Sequence, residues 1–118
     1  MKTIAISFSL KGQSFPLIAK NLEKISQQVG PCVLIHGNLP KKEVEKRGLS
    51  TDVIDKLDEL FPIQLNMWNG KVLRDDMGSY AKSLNAEIYV IGNINYGVKE
   101  EVDIYKNLGL AINHFLIN

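Results

Sequence analysis

Long apolar runs are missing from this chain. A bilayer-spanning helix needs roughly 20 consecutive apolar residues, and no stretch here approaches that. No positively charged leader precedes an apolar core segment, so a secretory signal is not expected and the expected location is cytoplasmic. Cysteine is nearly absent as well. The single Cys32 excludes an internal disulfide framework and any cysteine-cluster zinc site. Charge of one sign is also lacking: 14 Lys+Arg stand against 13 Asp+Glu, a net charge of +1. That balance gives no electrostatic footprint for nucleic acid or for an anionic membrane. There is no internal repeat and no low-complexity linker. What is present is 118 residues, 45% of them hydrophobic. This is one domain's worth of chain, long enough to bury a core without disulfides or metals.

The hydrophobic pattern alternates between strand and helix. Thr3 to Phe8 is a β-branched apolar run suited to a strand buried on both faces. Phe15, Ile18, Leu22, Ile25 and Val29 recur at helical spacing, with Ser14 as cap, Pro16 in the first turn and Gly30-Pro31 as the stop. Cys32 to His36 reads as a second buried strand, followed by a Gly37-Asn38 turn. A polar stretch from Lys41 to Arg47 precedes a helix carrying Val53, Ile54, Leu57, Leu60 and Phe61, capped by Ser50 or Thr51. Ile63 to Trp68 alternates apolar and polar residues, as a strand near an edge or facing a cleft would. After the Asn69-Gly70 turn, Leu73, Met77, Tyr80 and Leu84 mark a third helical stripe. Glu87 to Gly92 is a fourth strand, and Val98, Val102 and Tyr105 begin a fourth helix. Leu110 to Ile117 is read as a fifth strand rather than a helix extension, because Gly109 is a natural stop.

This alternation predicts a single three-layer α/β domain of Rossmann or flavodoxin type, with about five parallel strands flanked by helices. Such sheets bind ligands beyond the carboxyl ends of their strands, where the strand order reverses. The loops that matter are therefore 9–14, 36–38, 68–74 and 93–97. In the first of these, Ser9, Lys11 and Gly12 lead into a helix start and could hold a phosphate or carboxylate, although the segment is neither a P-loop nor GxGxxG. An ordinary capping connection accounts for it equally well.

The fourth loop and its helix carry more. At about 100° per residue, Glu101 projects within the inward stripe of Val98, Val102 and Tyr105, whereas Glu100 and Asp103 project outside it. With the helix starting near Val98, Glu101 is expected in the first turn, where the helix dipole favours its ionised form. An inward carboxylate there is costly unless hydrogen-bonded or used in chemistry; simple first-turn electrostatics is the alternative. Asp75 and Asp76, beside Arg74, open the third helix and have the same two readings. Trp68 could stack on an aromatic ligand or close the core. His36 and His114 have no partners at metal-ligand spacing, so no metal site and no cofactor is expected.

The segment Glu87–Gly109, EIYVIGNINYGVKEEVDIYKNLG, resembles the signature region of the nucleoside 2-deoxyribosyltransferase-like superfamily. That pattern is a hydrophobic strand, a polar loop, Gly, a small or β-branched residue, two variable residues, then Glu and an apolar residue. Here these positions are Gly97, Val98, Lys99-Glu100, Glu101 and Val102. Asp103 stands where the family usually has Gly, Tyr105 where it has Ala, and Glu87 where it has Asp. The resemblance covers the chain from about Arg74 onward, and the first half only as architecture.

The resemblance implies that Glu101 is a nucleophile acting on a nucleoside or nucleotide, by hydrolysis or by 2-deoxyribosyl transfer with retention. It further implies that Asp75 or Asp76 assists the leaving base or holds a hydroxyl. Ser9, Lys11, Gly12, Trp68, Asn93 and Gly97 are the expected substrate contacts. A homo-oligomer is implied as well, since relatives complete their sites from a neighbouring subunit. The alternative expectation is a nucleotide-binding or sensing module of the same fold without catalysis, and a further one is a flavodoxin-shaped interaction domain.

Overall fold

The computed structural model describes residues 1–9, 14–37, 40–68, 74–94 and 96–115, with only the backbone of residues 74, 75, 96 and 97. Five strands form one sheet: β1 (Lys2–Phe8), β2 (Cys32–His36), β3 (Gln64–Asn66), β4 (Glu87–Ile91) and β5 (Ile112–Phe115). All four pairings are parallel, in the order β3-β2-β1-β4-β5. This is the Rossmann order, not the flavodoxin order 2-1-3-4-5. The chain builds outward from β1 to β3, then returns to lay β4 on the other side of β1. The order therefore reverses between β1 and β4, where Ser7 pairs with Val90 and Phe8 with Ile91.

The helices fill the crossovers: α1 (Phe15–Val29), α2 (Lys41–Lys46), α3 (Asp52–Leu60), α4 (Arg74–Ser83) and α5 (Tyr96–Asn107). On one face of the sheet, Ile4, Ile6, Leu34, Tyr89 and Ile91 pack against Ile18, Leu22 and Ile25 of α1 and Val53 and Leu57 of α3. Ile18, Leu22 and Ile25 are fully buried, each contributing roughly 1.5–3 kcal/mol of transfer free energy. The opposite face is covered by α4 and α5, with Ala5, Ile35 and Ile88 against Ala81 and Tyr105, and Val90 against Val98 and Val102. The side chains of β1 alternate between these layers, so Ser7 shares the α4/α5 face with Ala5.

Most boundaries follow their sequence signals. Gly30 ends α1 at φ +73°, a conformation that a residue with a Cβ adopts at a cost. Ser14 occupies the cap position of α1, although its side chain makes no capping hydrogen bond. At α3 the Asp52 N–H donates to Ser50 Oγ at 3.2 Å. The alternating segment before Trp68 is an edge strand, as its pattern suggested. It is shortened to three residues, with Leu65 exposed.

Two expectations need correction. The polar stretch after Lys41 is itself a helix, α2, pinned by its one buried residue, Val44. A six-residue helix with a single anchor leaves no periodic stripe to read. The third helical stripe is also rotated from the expected one: Tyr80 and Leu84 are exposed, and the buried side of α4 is Met77, Gly78 and Ala81. Leu73 lies outside the described residues. Small residues face inward because α5 comes close. A Cβ on Gly78 would stand 2.5 Å from Ile104 Cγ2 and 3.1 Å from Leu108 Cδ1.

Gly78→Ala gains up to about 1 kcal/mol of helix propensity, but it must push a β-branched side chain aside at about 1–3 kcal/mol. A net loss of stability is expected in urea unfolding, and Ile104→Ala in the same chain should relieve part of it. A stabilised Gly78→Ala protein would contradict the close packing of α4 on α5.

Candidate active site at the strand-order reversal

Two elements meet where the order reverses. β1 ends with Ser7 on the α4/α5 face, and α5 follows β4 by a short connection, so its start lies over the same sheet edge. Ser7 is 4% exposed, and its hydroxyl donates to Glu101 Oε2 at 2.5 Å. The contact joins residues 94 positions apart and spans the reversal. Glu101 is half-buried, while Glu100 and Asp103 are exposed, as the helical spacing predicted. Glu101 does not stand in the expected first turn. α5 begins at Tyr96, so Glu101 stands in its second turn, past the region where a helix N-terminus acts most strongly. There the carboxylate meets a hydroxyl donor from β1.

Tyr105, one turn further along α5, is 2% exposed. Its phenol feels the Glu101 charge. Burial and that charge push its pKa well above the ordinary tyrosine value. The three groups form one polar cluster set among apolar side chains.

The other expected site residues are placed as follows. Ser9 follows β1 and Asn93 follows β4, so both stand at the same edge as Glu101, and each engages a neighbour. Gly97 lies in the first turn of α5. Lys11 and Gly12 lie outside the described residues, as does the side chain of Asp75. Asp76 is exposed in the first turn of α4. α4 and α5 run side by side in the same direction with Gly78 against Ile104, so the start of α4 is level with the second turn of α5. Trp68 is elsewhere: it follows β3, and β2 and β1 separate β3 from β4. Three strand spacings make roughly 14 Å. Its backbone N–H donates to Asn66 Oδ1 at 2.9 Å, fixing a turn at the sheet edge. Among the described residues, no group of three or more His, Cys, Asp or Glu side chains could hold a metal ion, and no helix is long and apolar enough to cross a membrane.

None of the known family models, curated proteins or solved structures matches this chain. What the site can do therefore rests on its own geometry. A carboxylate held by a hydroxyl donor from a neighbouring element has a fixed direction, as a nucleophile or general base requires.

Ser7 and Tyr105 are the two members of this cluster that sequence reasoning missed. Ser7 falls inside the apolar run Thr3–Phe8 and draws no notice there. The signal available was parity, since Ser7 falls on the same sheet face as Ala5, toward the helix that carries Glu101. Tyr105 was correctly read as core, but its phenol was not weighed.

A second polar chain lies on the opposite face. Gln64 Nε2 donates to Asp58 Oδ1 at 3.0 Å and to the Phe61 carbonyl at 2.8 Å, so its oxygen accepts from His36 Nε2 at 2.7 Å. Burial lowers the His36 pKa below the ordinary histidine value, against the smaller opposing effects of Gln64 and Asp58. The folded state thus prefers the neutral ring, while the unfolded chain takes up a proton near pH 6.5. Stability from this site is complete above that pH and is lost as pH falls below it. Urea midpoints should decline from pH 7 to pH 5, and His36→Gln should flatten that decline. An unchanged slope in the variant would contradict the assignment.

Proposed function

We propose that this chain cleaves the N-glycosidic bond of a nucleoside or nucleotide, with Glu101 as the nucleophile. The observation that supports this most is the Ser7–Glu101 hydrogen bond at the strand-order reversal, the place where sheets of this order bind nucleotides. The resemblance of Glu87–Gly109 to the nucleoside 2-deoxyribosyltransferase-like signature, whose glutamate falls on Glu101, points the same way.

The chemistry has two displacements. A Glu101 carboxylate oxygen bonds to the anomeric carbon while the carbon–nitrogen bond breaks, its electron pair leaving with the base. Asp76, or Asp75 beside it, supplies the proton that the base takes up, or holds a sugar hydroxyl. Water or a second base then attacks the same carbon, the ester bond breaks back to carboxylate, and two inversions give net retention. Ser9, Lys11 and Gly12, between β1 and α1, hold the sugar or its phosphate. The cleft lies at the carboxyl ends of β1 and β4. A second copy of the chain completes it, and the setting is cytoplasmic.

A second reading is a nucleotide-binding module without turnover. Tyr105 favours it, because a buried ring fills the space beneath Glu101 where the resembled family carries Ala.

Chromatography of deoxynucleosides and their monophosphates tests both readings. Base release is expected from wild type, falling roughly a thousandfold or more in Glu101→Gln. Intact substrates throughout would remove the enzymatic reading. Thermal stabilisation by a nucleotide without turnover would then establish the second.

A further inference from the structure

We propose that His114 is a positioning residue, setting from β5 the lead-in to the helix that carries Glu101. The proposal rests on the reading of Glu101 as the reactive carboxylate. Gly92 is where β4 leaves the sheet, and its φ of +77° turns the chain there. Both of its backbone polar groups are held by β5. Its N–H donates to the Phe115 carbonyl at 2.8 Å, and its carbonyl accepts from His114 Nε2 at 2.5 Å. A carbonyl can only accept, so the ring donates from Nε2. The neutral ring with its proton on Nε2 and the charged ring both do so. Residues 93–95 alone then separate Gly92 from Tyr96, where α5 begins.

β5 is a firm base for this hold. Asn113 Nδ2 donates to the Ile88 carbonyl at 3.0 Å, and the Phe115 ring packs on Tyr89 with centroids 5.9 Å apart. Register supplies the rest. Val90 pairs with Ser7 on one side and with His114 on the other, so all three share the α4/α5 face. α5 lies over this row. Val98 and Val102 pack on Val90 at its centre, Ser7 donates to Glu101 from the β1 side, and His114 holds Gly92 from the β5 side. The row spans two strand spacings, roughly 10 Å. A helix held on one side of such a row can tilt about that point, and tilt redirects an inward carboxylate; the hold on Gly92 opposes it. If Nε2 did no more than satisfy a carbonyl, its loss would lower stability and leave Glu101 where it is.

The test compares His114→Leu, which removes the donor, with His114→Gln, whose side-chain amide can reach the same carbonyl. Without substrate, nitrogen-15 NMR should show the amides of Val98, Glu101 and Val102 shifted in His114→Leu and returned toward wild type in His114→Gln. Amides of β2 and α3 should stay in place in both. With substrate, kcat for base release should fall roughly ten- to a hundredfold in His114→Leu, with KM changed far less, and recover in His114→Gln. If His114→Leu does not fold, His114→Asn, whose amide is too short to donate from the same place, replaces it. Shifts confined to Gly92 and β5, or equal shifts in the Leu and Gln variants, overturn the proposal. So does an unchanged kcat in an active enzyme. An inactive wild type with the α5 shifts intact would remove the glycosidase reading and leave the positioning role standing. An active wild type whose α5 amides ignore His114→Leu would do the reverse.

Discussion

A carboxylate withdrawn from water must find a donor, and Glu101 finds its donor on another element. That single contact ties the first strand of the chain to its last helix. It is formed only if β4 lies directly beside β1 and α5 covers the same sheet face as Ser7. Each of these conditions depends on packing elsewhere. β4 reaches β1 because α1 and α3 hold one face of the sheet through a continuous aliphatic layer. α5 settles onto the other face because Gly78 lets it approach α4 closely. The polar cluster is thus a consequence of the core as well as a candidate for chemistry.

The reversal of strand order gives the cluster its setting. On either side of a reversal the two connections leave in opposite directions, and sheets of this order bind ligands there. The ends of β1 and β4 meet there, which brings Ser9, Asn93 and the start of α5 to one edge. The far edge, with β3 and Trp68, has a different character. There a short, partly exposed strand is tied down by the His36–Gln64–Asp58 chain. One end of the order carries a buried histidine chain, while its middle carries the Ser7–Glu101 contact.

Where large apolar residues recur and Gly or Pro bounds the run, the elements could be read from sequence almost to the residue. α1 and β2 are the clearest cases, and the inward face of α5 follows from Val98, Val102 and Tyr105. α4 could not be read this way. Its buried side sets Gly78 and Ala81 beside a single large residue, Met77, while Tyr80, and Leu84 just past its end, face solvent. α2 has too few residues to carry a period. Strand order is non-local, since nothing within β4 announces that β1 is its neighbour. Ser7 stayed hidden for the same reason, because its partner is 94 residues away. Glu101 was legible because its own helix fixed its direction, whereas its exact turn depended on a helix start two residues earlier than the apolar stripe suggested.

The proposed chemistry requires Glu101 to form a bond to a sugar. A 2-fluoro-2-deoxyribonucleoside, whose fluorine slows the second displacement more than the first, is the direct probe. Intact-mass spectrometry after incubation should show one added glycosyl group per chain, and peptide mapping should place it on Glu101. An unmodified chain, or a group mapped to any other residue, would contradict it.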